Sequence, residues 1–169
     1  MAEVAVRASA IGGLGVFTLE DLRAGQVVRA FELEREITPE APMRPDRGER
    51  PEHCPSINGR RYLVGEPDRY FNHCCDPNVY LRFGSGGIDI VALRDIVAGS
   101  ELTLDYLINN SGGDSWPCHC GAARCRGETG HSFFTLPEDL QREYFPLLAP
   151  WFLERYPREL DRLTHGSTD

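Results

Sequence analysis

Two cysteine-bearing segments, far apart in the chain, constrain the fold more than any other feature of the sequence. Cys118, Cys120 and Cys125 follow a C-x-C-x4-C spacing, while Cys74 and Cys75 lie together much earlier. A structural zinc ion takes four protein ligands, and thiolates suit it. The three later cysteines supply only part of such a set, so the fourth ligand must come from elsewhere, and Cys75 is the first candidate. The pattern predicts a zinc ion that ties the C-terminal part of the chain to its middle.

The length and composition fit one folded domain. The chain has 169 residues, of which 41% are hydrophobic, and this is enough to bury a core. No apolar run approaches the roughly 18 residues needed to cross a bilayer, and the N-terminus lacks the basic and apolar regions of a signal peptide. We therefore expect an intracellular, cytoplasmic protein without a membrane partner. Six cysteines are also compatible with three disulfides, but an intracellular chain with this spacing favours a metal.

The net charge indicates which classes of partner the chain can bind. The formal net charge is −8, which argues against direct nucleic-acid binding, because phosphate contacts need clustered basic residues. An acidic protein is compatible with a basic peptide partner.

Hydrophobic alternation and turn residues predict many short strands over residues 1–110. Strands are expected at residues 3–7, 27–33 and 101–106, and a hairpin with a glycine-rich loop at residues 79–93. Residues 38–56 contain five prolines among charged residues and no helix or strand period, so we expect an exposed loop there.

The C-terminal part has a different pattern. Thr135 and Glu138 have the spacing of a capping box, and the apolar residues that follow recur on one helical face. Pro146, Pro150 and Pro157 should kink or split this helix. Its apolar face must be covered either by the domain's own core, which we favour, or by a second copy in a homodimer.

Four segments, in this order, resemble the motifs of the SET-domain protein lysine methyltransferases with a post-SET zinc cluster. The first three resemble the G-x-G, R-F-x-N-H-S-C-x-P-N and G-E-E-L-T-F-D-Y motifs, and the last resembles C-x-C-G-x3-C-R-G. The resemblance covers about residues 5–130. The segments are Gly13–Phe17, Arg69–Asn78, Gly99–Tyr106 and Cys118–Gly127.

This resemblance implies a mainly β fold of small sheets with a knot-like crossing, followed by a post-SET zinc cluster and a helical tail. It divides the chain into a SET domain at residues 1–110, a post-SET segment at 111–131 and a C-terminal helical extension at 132–169. The implied cofactors are S-adenosylmethionine and Zn²⁺. The register of the motif selects Cys75 over Cys74 as the fourth ligand. The implied metal ligands are Cys75, Cys118, Cys120 and Cys125.

The resemblance also assigns roles to single residues. Tyr106 takes the place of the active-site tyrosine, and Asp105 is expected to hold the crossing together rather than to act as a base. Arg69 supports the cofactor site, with a purely structural salt bridge as the alternative. The implied cofactor-binding residues are Gly13, Leu14, Gly15, Arg69, Tyr70, Asn72 and His73.

One position departs from the family pattern. Leu104 stands where the family has a phenylalanine or tyrosine that crowds the acceptor amine, which predicts a roomier channel and methylation beyond the first methyl group. Alternatively, Phe133 or Phe134 folds over from the C-terminal tail and fills the space beside the acceptor amine. The expected substrate channel consists of Leu104, Tyr106, Phe133 and Phe134.

The function implied is S-adenosylmethionine-dependent methylation of a lysine side chain in a histone, a histone-like protein or another protein. The alternatives are a non-catalytic zinc-stabilised binding module with the same fold, and an enzyme that methylates a small amine. The chain contains no lysine, and all 18 basic residues are arginine. Codon usage is the favoured explanation, and avoidance of self-methylation is the other.

Overall fold

The structure is a computed structural model of the chain and describes residues 1–164. Short strands dominate the first two thirds, and short helices follow at the C-terminus. The end of the predicted extension, residues 165–169, lies outside the described residues. The strands are β1 (Val4–Ala8), β2 (Leu14–Thr18), β3 (Val27–Ala30), β4 (Leu33–Ile37), β5 (Ser56–Ile57), β6 (Arg60–Val64), β7 (Asn72–His73), β8 (Val79–Gly84), β9 (Gly87–Ala92) and β10 (Glu101–Leu104).

The strands of the described residues form three small sheets with the orders β1-β2-β10-β7, β3-β9-β8 and β4-β6-β5. The β8–β9 hairpin closes at Gly84 and Gly87, as the glycine-rich loop predicts. This arrangement confirms the mainly β fold of small sheets.

The first sheet brings together segments that are distant in sequence. Strand β10 pairs antiparallel with β2 and parallel with β7. The Asn78 side chain bonds the same strand twice, because its amide nitrogen donates to the Glu101 carbonyl and its oxygen accepts from the Thr103 N–H, both at 2.8 Å. Residues 72–78 are therefore fastened to β10 at both ends. The main core lies beneath, and it includes Val16, Leu22, Val28, Phe71, Val79, Ile90, Ala92, Ile96, Leu102 and Leu104.

The predicted strand at residues 27–33 is wrong as a single element, because it is split between β3 and β4. The break falls at Phe31 and Glu32, where the Glu32 N–H donates to the buried Asp68 carboxylate at 2.8 Å. A side-chain acceptor thus takes the place of a ladder partner, and the chain passes from one sheet to another.

The proline-rich segment contains two 3-10 helices, Pro45–Arg47 and Pro51–His53, rather than an entirely open loop. Its conformation is held by Glu49, which is 8% exposed. The Glu49 carboxylate accepts hydrogen bonds from Arg35 Nη2 at 2.5 Å and from Arg44 Nε at 2.8 Å. Two arginines converging on one carboxylate order a segment that has no periodic pattern.

The tail forms three helices: α1 (Glu138–Tyr144), α2 (Pro150–Arg155) and α3 (Pro157–Thr164). Proline lies at the first position of α2 and α3, which confirms the split. The predicted capping box between Thr135 and Glu138 does not form. Instead, Thr135 pairs reciprocally with Ser132 around the 3-10 helix Phe133–Thr135, and α1 begins without a side-chain cap.

The apolar face of the tail packs within the domain. The second core cluster combines the tail helices with Leu107, which follows the last strand. Within the described residues the domain itself thus covers this face, and a homodimer stays a prediction. No helix of the described residues combines the length and apolar character needed to cross a bilayer. The buried members of this cluster are Leu107, Phe133, Leu136, Tyr144, Leu148, Ala149, Phe152, Leu160 and Leu163.

Candidate functional site

The four predicted metal ligands come together. One sulfur each from Cys75, Cys118, Cys120 and Cys125 lies within 4.8 Å of the others, and the Cys75 and Cys118 sulfurs are 3.7 Å apart. Zn–S bonds of about 2.3 Å in a tetrahedron place the sulfurs about 3.8 Å apart. None of these cysteines is in a disulfide. The donor set and its spacing therefore fit a zinc ion.

The surroundings of the sulfurs are mixed, because burial raises the pKa of Cys75 and of Cys118, whereas backbone N–H groups contact the sulfurs of Cys75 and Cys120. The Arg126 N–H donates to the Cys75 sulfur at 3.4 Å. Burial acts to raise the pKa of Cys120, but backbone hydrogen bonds from Cys75 and Ala122 outweigh it and lower that pKa to about 6. Such N–H to sulfur contacts are typical of the outer shell that stabilises a metal-bound thiolate.

His73 links the cysteine cluster to Tyr106, which follows strand β10. Its Nδ1 accepts the Tyr106 N–H at 3.2 Å, so the proton of the neutral ring lies on Nε2, which is 3.4 Å from the Cys75 sulfur. Burial is the main cause that lowers the pKa of His73 to about 4, against the nearby Asp105 carboxylate. The imidazole is therefore neutral and orients a metal-ligand candidate.

Tyr106 lies on the turn that follows β10 and is 39% exposed. Its hydroxyl donates a hydrogen bond of 2.6 Å to the Phe71 carbonyl. Burial of the hydroxyl, assisted by the negative charge of Glu101, raises the pKa of Tyr106 to about 12. A protonated hydroxyl with a fixed direction, on a ring that still reaches the surface, can align a reacting group.

Asn72 is the centre of a second group of contacts. Its amide nitrogen donates to the Leu14 carbonyl at 2.9 Å, to the Gly12 carbonyl at 3.3 Å and to Glu101 Oε1 at 2.8 Å. The predicted cofactor residues Gly13, Leu14, Gly15 and Asn72 are thus adjacent. A Cβ on Gly15 would lie 2.8 Å from the Glu101 carboxyl carbon, so this glycine makes room for a side chain of the protein itself.

Asp105 connects three parts of the fold, and its role in a knot-like crossing stays a prediction. Its fully buried carboxylate accepts two hydrogen bonds from Arg126 and one of 3.4 Å from the Tyr144 hydroxyl. One residue thereby joins the end of β10, the cysteine-containing segment and helix α1.

Arg69 and Tyr70 contact each other and Glu66. The Arg69 guanidinium bonds the Glu66 carboxylate and the Tyr70 hydroxyl, and its cationic centre lies 5.1 Å from the Tyr70 ring centroid. These contacts match the structural alternative considered for Arg69. Its role toward a cofactor stays a prediction, as does that of Tyr70.

The expected channel residues lie in two places. Leu104 is 9% exposed in the main core cluster, whereas Phe133 is fully buried in the tail cluster. Phe134 stacks on Phe152 with ring centroids 5.6 Å apart. The structure thus holds both phenylalanines within the tail core, and their role in a substrate channel stays a prediction.

Sequence reasoning missed three residues of this region. Glu101 contacts Asn72, Arg126 pairs with Asp105, and Trp116 places its half-exposed ring 6.4 Å from that of Tyr106. Glu101 and Arg126 both lie inside segments that carry recognised motifs, so a closer analysis of the charged positions there would have found them. Trp116 lies outside every motif, and only its position just before the cysteines hinted at it.

Comparison with known proteins decides the family. The model of the SET domain matches residues 13–107, which is more than half of the chain. This chain belongs to the SET-domain family. The matched range contains Asn72, His73, Cys75 and Tyr106, and it ends before the other three cysteines of the cluster.

Curated relatives of this SET-domain chain are named as histone-lysine N-methyltransferases. The H3 lysine-4 specific enzyme of Eremothecium gossypii is 35% identical over 138 residues, which cover 70% of this chain and 14% of that protein. The H3 lysine-36 specific enzyme of Emericella nidulans is 34% identical over 143 residues, or 76% of this chain and 14% of that protein. The chain therefore spans about a seventh of the length of these relatives.

Among solved structures, a crystal structure titled as a histone methyltransferase of Plasmodium falciparum is similar to 61% of this chain and 91% of that chain. The sequence identity is 20% and the TM-score is 0.48.

Proposed function

We propose that this SET-domain protein transfers methyl groups from S-adenosylmethionine to the side chain of a lysine in a protein substrate. The observation that carries the proposal is the parallel pairing of β7 with β10, which brings Asn72 and His73 beside Leu104 and Tyr106 within the matched family range. Retention of these polar residues together favours an enzyme over a binding module that only keeps the fold.

S-adenosylmethionine supplies a methyl group on a positively charged sulfur. The acceptor amine must be neutral to react, although free lysine has a pKa of about 10.4. The residues of the chain bind and align the reactants rather than exchange protons with them. The Tyr106 hydroxyl keeps its proton because its pKa is raised to about 12, and its bond to the Phe71 carbonyl fixes its direction.

The cysteine cluster is proposed to hold a zinc ion with a structural role. All four protein ligands are cysteines, so no coordination position remains open for a substrate. Such an ion joins the segment at residues 118–125 to Cys75. Because the Cys75 sulfur contacts His73, the ion also joins that segment to strand β7. The zinc therefore stabilises the cofactor side of the site without taking part in methyl transfer.

A histone tail is the substrate class that the relatives favour. One relative is named for lysine 4 and another for lysine 36 of histone H3. A formal net charge of −8 suits a lysine- and arginine-rich peptide. A basic protein other than a histone satisfies the same chemistry.

The test is methyl transfer from deuterium-labelled S-adenosylmethionine to purified histones and to a protein lysate, analysed by mass spectrometry. Labelled methyl-lysine should form with the native protein, and the Tyr106→Phe variant should give far less. Binding of the cofactor or a histone peptide without any labelled lysine would favour the binding-module alternative. Label on a small amine alone would favour the third alternative.

A further inference from the structure

A polar cleft lies where the β5–β6 turn, residues 109–112 and helix α2 meet, and it has a volume of about 50 Å³. None of its lining residues is among those assigned above to the cofactor, the channel or the metal. Only Ser56, Asn58 and Gly59 of its ten lining residues fall within the matched range, residues 13–107. The cleft is therefore mainly a feature of the segments that follow the SET domain.

The backbone around the cleft is held in place. Asn58 and Gly59 have φ values of 49° and 76°, as in a tight two-residue hairpin turn. On the opposite side, Asn109 has a φ of 69°. Its side-chain oxygen accepts the Ala149 N–H at 2.6 Å, which attaches residues 109–112 to the start of α2. The cleft is thus preformed, as is usual for a ligand site.

Two neutral donors border the cleft. The Trp151 ring packs edge-on against Phe83 and Phe152, with ring centroids 6.3 and 5.4 Å apart. Its indole nitrogen is buried, yet its N–H has no acceptor among residues 1–164, and such an unpaired donor is costly. The side-chain oxygen of Asn110 accepts the Gly112 N–H at 3.0 Å, which leaves its amide nitrogen as a donor.

Arg155 supplies a positive charge. It is the one charged residue of the cleft lining, and no ion pair found in the described part of the chain includes it. Its Cζ lies 5.9 Å from the Tyr156 ring centroid. A Cβ on Gly59 would lie 3.6 Å from Nη1, so the guanidinium reaches from α2 to the hairpin turn. The cleft is therefore locally positive in a chain of net charge −8.

We propose that this cleft binds a carboxylate group. A guanidinium pairs with both oxygens of a carboxylate, and the N–H groups of Trp151 and Asn110 can donate to the remaining lone pairs. A single cation balances a monoanion, whereas a dianionic phosphate would keep one negative charge without a partner. The inference does not depend on methyl transfer, because these residues lie outside the proposed active site.

The carboxylate can belong to a free small acid or to an acidic side chain of a bound protein. Asn109 is the third residue after Tyr106, so their Cα atoms lie at most about 11 Å apart. A protein that places a lysine near Tyr106 can therefore reach the cleft with a neighbouring residue. The chemistry recognised is the same in both cases, and the experiment separates the two sources.

The test uses the indole N–H signals in nitrogen-15 NMR spectra. The chain has two tryptophans, and Trp116→Phe assigns their signals. Acetate is added at pH 7, with chloride replaced so that the ionic strength stays constant. The Trp151 signal should shift and saturate, whereas the Trp116 signal should not. Arg155→Gln should raise the Kd for acetate about 10-fold or more. Arg158→Gln removes an exposed arginine on α3 and should leave that Kd unchanged.

Two end-capped peptides, identical except for one glutamate or glutamine, identify the source. Saturation by the glutamate peptide at lower concentration than acetate, without binding of the glutamine peptide, supports an acidic side chain. Saturation by acetate alone supports a free acid. The inference is overturned if neither acetate nor the glutamate peptide gives a saturable shift, or if inorganic phosphate binds as tightly as acetate. Unchanged acetate affinity in a folded Arg155→Gln variant also overturns it.

Discussion

The carboxylate of Asp105 and the guanidinium of Arg126 form a two-point ion pair, with nitrogen–oxygen distances of 2.7 and 3.0 Å. Asp105 directly follows β10, and Arg126 directly follows the last cysteine of the cluster. The pair therefore fastens the cysteine-containing segment to the sheet independently of any metal.

Removal of Arg126 is expected to be strongly destabilising. In the Arg126→Ala variant the Asp105 charge stays fully buried without its partner, at a cost of about 3 to 5 kcal/mol in the free energy of unfolding. Urea denaturation measures this change. Arg82→Ala is the matched control, because its partner Asp89 is exposed, and it should cost about 1 kcal/mol or less. Equal losses in the two variants would contradict the role given to Arg126.

The metal prediction concerns stoichiometry. Purified protein should contain about one zinc per chain, and Cys75→Ser should lose most of it because one of four thiolates is removed. Cys54→Ser should keep the metal, since Cys54 is buried away from the cluster and bonds the Arg50 carbonyl. Elemental analysis gives the content, and a chelator should lower the melting temperature. Disulfides among the four cysteines, or native protein with far less than one zinc, would show the assignment to be wrong.

Tyr106→Phe separates catalysis from binding. Loss of the hydroxyl removes an aligned group but leaves the ring, so turnover should fall about 10²-fold or more while cofactor affinity changes little. Tyr80→Phe, on β8, provides the control. Because the pKa of Tyr106 is raised to about 12, its hydroxyl stays protonated as the pH rises from 7 to 10. Activity should therefore show no decline over that range from ionisation of this group, and such a decline that disappears in Tyr106→Phe would contradict the prediction.

Two neighbouring glycines should respond differently to the same substitution. A Cβ on Gly15 would overlap the Glu101 carboxylate, whereas a Cβ on Gly12 meets nothing within 4 Å. Gly15→Ala should therefore cost about 1 to 3 kcal/mol of stability and weaken cofactor binding, because Glu101 must move. Gly12→Ala should change stability by less than about 0.5 kcal/mol. Thermal denaturation measures the stability and calorimetry measures cofactor binding. Unchanged stability and unchanged cofactor affinity in Gly15→Ala would contradict the contact between Gly15 and Glu101.

Leu104 leads to a prediction about products. If Leu104 lines the acceptor channel, as predicted, a leucine in place of an aromatic residue would leave room near the acceptor nitrogen and offer no hydroxyl. The native enzyme should then proceed beyond monomethylation. Leu104→Tyr should shift the products toward monomethyl-lysine, while Leu104→Met, of similar volume, should not. Mass spectrometry of a peptide substrate over time decides the matter. Strict monomethylation by the native protein at long incubation would show that another side chain fills the gap.

Local patterns were enough to define much of the architecture. The hairpin of β8 and β9, the strand at β10 and the proline breaks in the tail follow from alternation, glycine and proline, whose effects act over a few neighbouring residues. The proposed metal ligands also follow from the order of residues, because the C-x-C-x4-C spacing is typical of zinc sites and the resemblance to the SET motif selects Cys75. The structure brings the four sulfurs together.

The tertiary structure decided the rest, because it pairs residues that have no local signal for each other. Ser9 and Glu101 meet across 92 positions, and Arg126 meets the Cys75 sulfur across 51. The division of the predicted strand at residues 27–33 depends on the distant Asp68. The apolar face of the tail helices packs against Leu107, which lies outside the tail. Strand and helix propensities are set by neighbours along the chain, whereas the contact of Glu101 with Asn72 exists only because β10 lies between β2 and β7.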